Sequence, residues 1–445
     1  MGKLVVLPSP ADGISPLPMR SSFLNHSSFR HYWLCQTASF MAYQMLVVAV
    51  GWQVYDLTHS AFSLGMVGLV QFLPQLLLTL VVGHMADHYD RRRIILLCQW
   101  VKAAMAGILA AGSLTQTLTV ETVFICAFLI GAARAFEMPS MQALLPSLIE
   151  PAQLPRAMAS AAGGREIAVI AGPALGGFIY ALGSGVVYVA SGTLFLAAGI
   201  LIIMIRLPFT APRRERPTLD SLFGGISFIR SRPVILGAIS MDLFSVLLGG
   251  ATALLPIYAR DILQTGPWGL GLLRAAPALG AVMMSVYLTR YPLKRRVGHI
   301  MHVAVAGFGL ATIVFGISRW FPLSMLALVM LGVTDMISVV IRQTLVQLET
   351  PDEMRGRVSA VNSIFIGTSN QLGEFESGVT AAWLGTVPAV VIGGIGTLIV
   401  VSLWIRLFPG LFGRDTLTNE PPTADLEMDQ TAPEQATTPV VQQGK

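Results

Sequence analysis

Charge is what this 445-residue chain has least of: only 12% of its residues are Asp, Glu, Lys or Arg, against about 25% in an ordinary soluble domain. A water-soluble protein so poor in charge could not cover its surface. Cysteine is scarce as well. The three cysteines, Cys35, Cys98 and Cys126, all lie in apolar runs, and an odd number so placed excludes a disulfide-built secreted fold. No Walker loop, nucleophile elbow or zinc-protease signature occurs, which argues against ATP as energy source and against an enzyme. What the chain has instead is 54% hydrophobic residues and a mean hydropathy of +0.67. That excess excludes intrinsic disorder and leaves a polytopic membrane protein.

A helix needs roughly 20 mostly apolar residues to cross ~30 Å of hydrocarbon. Such runs fall near 32–57, 60–83, 94–114, 119–140, 159–182 and 185–208, and again near 234–259, 267–290, 298–318, 321–343, 357–384 and 387–408. The expected architecture is an all-α membrane protein of twelve transmembrane helices in two six-helix bundles. Every second loop is basic: Arg91 to Arg93, Arg156, Arg213 with Arg214 and Arg216, Lys294 to Arg296, and Arg355 with Arg357. The alternate loops hold only Arg260 and Arg319. By the positive-inside rule both termini face the cytoplasm, with the chain in the cell (inner) membrane. This asymmetry accounts for the formal charge of +5, so no nucleic-acid partner is expected.

Residues 1–28 read as a cytoplasmic segment without a cleavable signal, because the short apolar run from Leu4 to Leu7 is cut by Pro8. Residues 29–208 form the first bundle, 209–233 a linker, 234–410 the second bundle, and 411–445 a Thr-, Pro- and Gln-rich tail expected to be disordered. Within the linker, Leu219, Leu222, Phe223, Ile226 and Ile229 follow helical spacing behind Thr218, a candidate N-cap. This amphipathic helix could lie on the membrane surface or pack against the bundle.

The two bundles are related in sequence. A shift of 203 brings Tyr55 onto Tyr258, Gly68 onto Gly271, Gln71 onto Arg274 and Pro74 onto Pro277, and it brings Arg91-Arg92-Arg93 onto Lys294-Arg295-Arg296. A shift of 201 matches Gln142 with Gln343 and Leu144 with Leu345. A nearly constant offset across several loops and spans marks two homologous halves, a build used by secondary transporters with a site between them.

Three sets of residues carry a family resemblance. After the second span, Gly83-His-Met-Ala-Asp87-His-Tyr-Asp90-Arg91-Arg92 resembles the loop signature of the major facilitator superfamily, with His88 and Asp90 in place of the usual Arg and Gly. The resemblance implies a gating loop built on Gly83, Asp87, Arg91 and Arg92. In the fifth span, Gly172-Pro173-Ala174-Leu175-Gly176-Gly177 resembles the helix-bend element of that superfamily's proton-coupled exporters, with Ala168 where the fuller pattern has glycine. The third set is Trp52-Gln-Val-Tyr55-Asp56, Arg134-Ala-Phe-Glu137-Met-Pro139 and Pro351-Asp-Glu-Met-Arg355-Gly356-Arg357, which is similar to the enterobactin-exporter and drug-efflux branch.

A charge inside a span is expensive and is by default a functional candidate. Asp56, Arg134, Glu137, Arg165, Glu166, Asp242, Arg274, Asp335, Arg342, Glu374 and Glu376 are such residues. The resemblance implies that spans 1, 4, 7 and 10 line the central cavity, which puts Asp56, Arg134, Glu137, Asp242, Asp335 and Arg342 on cavity helices. Asp56, Glu137 and Arg342 sit near span ends, where snorkelling or capping is expected. Glu374 and Glu376, two apart, point about 200° apart on one helix and cannot share a cavity. The offset of 201 also matches Arg134 with Asp335, suggesting a pair across the cavity. His84 and His88 have metal-like spacing but no third ligand, so no metal is expected, and Gly393, Gly394 and Gly396 suit helix packing.

The expected function is therefore export of a small amphipathic, siderophore- or drug-like molecule by a monomer through alternating access. Candidate substrate or proton-coupling residues are Arg134, Glu137, Asp242, Asp335, Glu374 and Glu376. No cofactor or nucleotide is expected, the proton gradient supplying the energy. An importer of a small metabolite, or a non-transporting sensor on the same fold, is the alternative.

Overall fold

In the computed structural model the described residues are 27–206 and 219–417, with the side chains of 79–88 and 219–223 outside that set. Thr218, the segment before residue 27 and the tail from 418 onward lie outside it too. The first half comprises α1 (Ser27–Thr58), α2 (Ala61–His88), α3 (Arg91–Leu114), α4 (Val120–Leu144), α5 (Leu154–Tyr180) and α6 (Ser184–Ile203). The linker helix α7 (Leu219–Ser231) leads into α8 (Pro233–Leu248), α9 (Gly266–Arg290), α10 (Val297–Ile317), α11 (Phe321–Glu349), α12 (Asp352–Leu384) and α13 (Thr386–Leu407). Nine of the described helical segments, with Pro233–Ile262 counted as one, are long and apolar enough to cross a membrane. The other three long helices, α4, α5 and α12, carry the polar and small residues that the bundle encloses. Large apolar side chains such as Leu182, Val303 and Trp383 stand bare on the outside, as a lipid-facing surface requires.

The halves repeat one packing pattern. In the first, α3 packs on α6 and on α4, and α2 on α4; in the second, α10 packs on α13 and on α11, and α9 on α11. Between the halves the main contacts are α5 on α9 and α2 on α12, which the internal repeat makes equivalent. Small residues build both. A Cβ on Gly177 would lie 2.5 Å from Pro267 O and 2.9 Å from Gly271 Cα, and one on Gly378 would lie 2.7 Å from Gly65 Cα. Without a hydrophobic drive between helices in lipid, such backbone approach is what holds membrane helices together.

Three local features differ from the sequence reading. The seventh span is not one helix: α8 stops at Leu248, and Gly249–Gly250 leads into a 3₁₀ turn, Ala251–Leu254, and a wide turn, Tyr258–Ile262. A side chain on Gly250 would meet Gly373 O at 2.5 Å, so α12 presses on the chain where the helix breaks. The linker helix packs on α12, with Ile229 buried beside Val358 and Val361, which favours bundle packing over the membrane surface. Past residue 410 the chain is still tied to the second half. Arg414 pairs with Glu349 at 3.0 Å, and Asp415 O accepts from Val297 N.

Candidate substrate cavity and buried ion pairs

A cavity of about 240 Å³ lies between the halves. Tyr43, Gln71 and Arg134 line it from α1, α2 and α4, and Arg274, Gln371 and Glu374 from α9 and α12. The Tyr43 hydroxyl donates to Gln71 Oε1 at 2.9 Å, and the Arg134 guanidinium carbon sits 3.4 Å from the Tyr43 ring centroid. Arg134 Nη1 and Gln371 Oε1 are buried without a hydrogen-bond partner. Glycine makes room for the acid: a Cβ on Gly68 would lie 2.8 Å from Glu374 Oε2. Gln71 and Arg274, matched by the internal repeat, face one cavity. The site thus offers two guanidiniums, a carboxylate, amides and an aromatic ring, a set that can orient a polar group while apolar walls hold a ring or chain.

Glu376 is not among the lining residues; it accepts from Thr380 Oγ1 at 2.7 Å on its own helix. Glu137, Asp242, Asp335 and Arg342 are held inside one half or the other. In the first half, Glu137 forms an ion pair with Lys102 at 2.6 Å, the two side chains being 8% and 1% exposed. Ser39 Oγ and Gln99 Nε2 donate to Glu137 Oε1, each at 2.7 Å. Lys102 also donates to Ser39 Oγ and lies 4.6 Å from the Phe195 ring centroid. In the second half, Arg342 pairs with Asp242 at 3.2 Å, 2% and 7% exposed, and donates to Asn362 Oδ1. Asp335 lines a small cavity beside Asp242.

Glu137 and Arg342 therefore do not snorkel. The reason is helix length: α4 runs to Leu144 and α11 to Glu349, past the expected span ends at 140 and 343, which places both residues well inside. Arg134 and Asp335 line different cavities, so the pairing suggested by the 201 offset is not brought together in this conformation. Lys102 was absent from the sequence candidates, although a lone lysine between Val101 and Ala103 is the signal that singled out the others. Arg165 and Glu166, adjacent on α5, approach at 3.8 Å and are partly exposed.

At the end of the bundle carrying the α1–α2 and α5–α6 connections, charge joins the halves. Asp56 pairs with Arg260 at 2.5 Å, and the Tyr55 hydroxyl donates to Asp261. The helix-bend element lies nearby. Gly172 and Gly176 admit Gln44 and Met45 of α1, while Gly177 faces α9 in the opposite half. At the basic-loop end, Arg91 donates to Ala143 O at 2.9 Å and Arg92 to Ile205 O at 3.0 Å, so each stays within the first half. Gly83 and Asp87 fall in the last turns of α2, whose side chains lie outside the described residues. Asp90 caps α3, accepting from Arg92 N at 2.9 Å and pairing with its guanidinium at 3.0 Å. Partial burial pushes the Asp90 carboxyl up, but the bonds from Arg92 outweigh it and hold it below its ordinary range. Among the described residues no cluster of metal-ligating side chains occurs.

Residues 20–428 match the model of the transmembrane secretion effector family. The chain is 28% identical over 407 residues to the enterobactin exporter EntS of Citrobacter koseri, covering 90% of this chain and 95% of that protein. It is 26% identical over 382 residues to EntS of an Escherichia coli strain, covering 84% and 90%. Among solved structures, a bacterial homologue of the human lysosomal transporter Spinster, inward-facing and unoccupied, superposes with TM-score 0.67 at 13% identity, covering 88% of this chain and 97% of that one. The POT family transporter PepTSo superposes with TM-score 0.67 at 10% identity, covering 87% and 98%. These last two show the fold alone. The sequence repeat, the paired six-helix bundles and the family match agree that the chain belongs to the transmembrane secretion effector family of the major facilitator superfamily, and that it is a membrane transporter rather than an enzyme.

Proposed function

We propose that the chain exports a small amphipathic, siderophore- or drug-like molecule from the cytoplasm by alternating access, in exchange for protons. The observation that carries this reading is where the described contacts between the halves fall. Glycine contacts and the Asp56–Arg260 pair join the halves at one end, with a polar cavity beneath them. At the opposite end Arg91, Arg92 and Arg414 bond within their own halves. If the basic loops face the cytoplasm, the closed end is the outer one and this is the inward-facing state, which loads an exporter. The relatives' names support export, and the cavity's guanidiniums suit an acidic or catechol-like group on an otherwise apolar molecule. Rocking about the seam would break the outer contacts and present the same cavity outside.

The test is accumulation of dyes, antibiotics and catechol siderophores in cells with and without the gene, each with and without an uncoupler. Lower accumulation with the gene, abolished by the uncoupler, is the expected result. Equal accumulation across the panel, or higher accumulation with the gene, would contradict it. Reporter fusions after Ser184 and Gly385 should report the outside, and a cytoplasmic signal there would reverse the orientation.

A further inference from the structure

The two halves place serine and acid at equivalent positions but exchange them between helices. With the offset of 203 for the first and seventh spans and 201 for the fourth and tenth, Ser39 corresponds to Asp242 and Glu137 to Ser338. Their surroundings differ in charge count. Around Glu137 one carboxylate faces one ammonium, with Ser39 and Gln99 donating to the same carboxylate. Around Asp242 two carboxylates, its own and that of Asp335, face the single guanidinium of Arg342. Polar atoms there lack partners: Ser245 Oγ and Ser338 Oγ, in residues 4% and 2% exposed, and Arg342 Nε. Both serines line the cavity that Asp242 and Asp335 share, of about 10 Å³, roughly the space in which a single water fits.

We propose that this cavity, separate from the substrate cavity, is the coupling-ion site, binding one proton on the Asp335 carboxyl, while Lys102–Glu137 remains a fixed structural pair; this rests on the antiport reading above. A net negative charge buried in a membrane bundle is unfavourable, and one proton cancels it. A sodium ion fits less well. The Arg342 charge would oppose it, Asp242 is already engaged, and the Thr334 hydroxyl donates to carbonyls of its own helix. The charged groups facing Asp335 are Asp242 from α8 and Arg342 from α11 itself. From α10 come Val305 and Phe308, with His302 one turn from Val305 and hydrogen-bonded to Gly298 O. On α9, Arg274 lines the central cavity instead.

The seventh span connects the two functions. Its helical part, α8, carries Asp242. Beyond the Gly249–Gly250 break, the same span carries Arg260 and Asp261, which join Asp56 and Tyr55 at the closed end. Loading or emptying the proton site changes what holds α8 to α11, and the glycine break passes that change to the outer contacts as a hinge would.

The experiment is infrared difference titration of the purified full-length protein in lipid, following the carbonyl stretch of protonated, buried carboxyls. At neutral pH the parent should show one such band. Asp335→Asn should remove it, and Lys102→Met/Glu137→Gln should leave it. Arg342→Gln should double it, because two carboxylates then lack their cation. Should that variant not fold, Asp242→Asn serves in its place and should lose the band, since Arg342 then faces one carboxylate. Persistence of the band in Asp335→Asn, its loss in Glu374→Gln, or its loss in the parent on adding sodium at constant pH would each overturn the assignment. The titration does not depend on transport. Absence of efflux from cells would overturn the export reading while leaving the band in place.

Discussion

Lys102 lies midway along α3, where an unpaired ammonium would cost several kcal/mol, and its burial is possible only because Glu137, Ser39 and Phe195 surround it. Removing one partner leaves the other charge unanswered. Lys102→Met is therefore expected to destabilise the protein by about 3–5 kcal/mol, and Lys102→Met/Glu137→Leu to recover most of that loss. Thermal melting in detergent compares them, and a double variant no more stable than the single would show that the pair does not act as a unit. Asp90 makes a smaller contribution at the surface. Its carboxyl is held below the ordinary range by Arg92, so its stabilisation is present above the unfolded-state value and is lost as pH falls through the lowered one. Asp90→Ala should cost about 1 kcal/mol as a lost N-cap at neutral pH, and its melting curve should converge with the parent's in acid. A constant gap at every pH would assign the effect to something other than the carboxylate. That Glu137, Asp242, Asp335 and Glu374 lie within the bundle was legible from their position inside apolar runs. Which partner each takes was not, because partners such as Lys102 for Glu137 and Arg342 for Asp242 come from other helices, and their approach is decided by how the helices pack.

At the scale of elements, the spans were legible because apolar length is a direct requirement of the bilayer. Their ends were less so: α4 and α11 continue past the apolar run into polar turns, and continuing helix keeps backbone groups hydrogen-bonded. The break in the seventh span is encoded by Gly249–Gly250, but two glycines in an apolar run are equally compatible with close packing, as at Gly393 and Gly394 beside Leu248 and Gly309. By resemblance, the Gly-Pro-x-x-Gly-Gly element is a bend. The structure adds a packing duty, with Gly177 lying against Pro267 and Gly271 of the other half. Gly177→Leu should force α5 and α9 apart at a cost of about 1–3 kcal/mol and open the closed end. A cysteine introduced at Val47, in the cavity wall, should then react faster with a membrane-impermeant thiol reagent added outside. Unchanged labelling together with unchanged thermal stability would show that the glycine is not part of the seal.

For the whole molecule, the internal repeat in the sequence is the same fact as the equivalence of the α5–α9 and α2–α12 contacts in the fold. Two homologous bundles joined by a short linker helix can rock as rigid bodies, and the positions of cavity, ion pairs and seam acquire their meaning from that motion. The most direct measurement is a pair of spin-label distances in lipid. One pair, at Gln116 and Arg319, spans the halves at the closed end; the other, at Glu150 and Glu353, spans them at the basic-loop end, and all four positions are exposed. As pH is varied, the two distances should change in opposite directions, one end widening as the other narrows. Distances that stay fixed at both ends, or that widen and narrow together, would contradict alternating access.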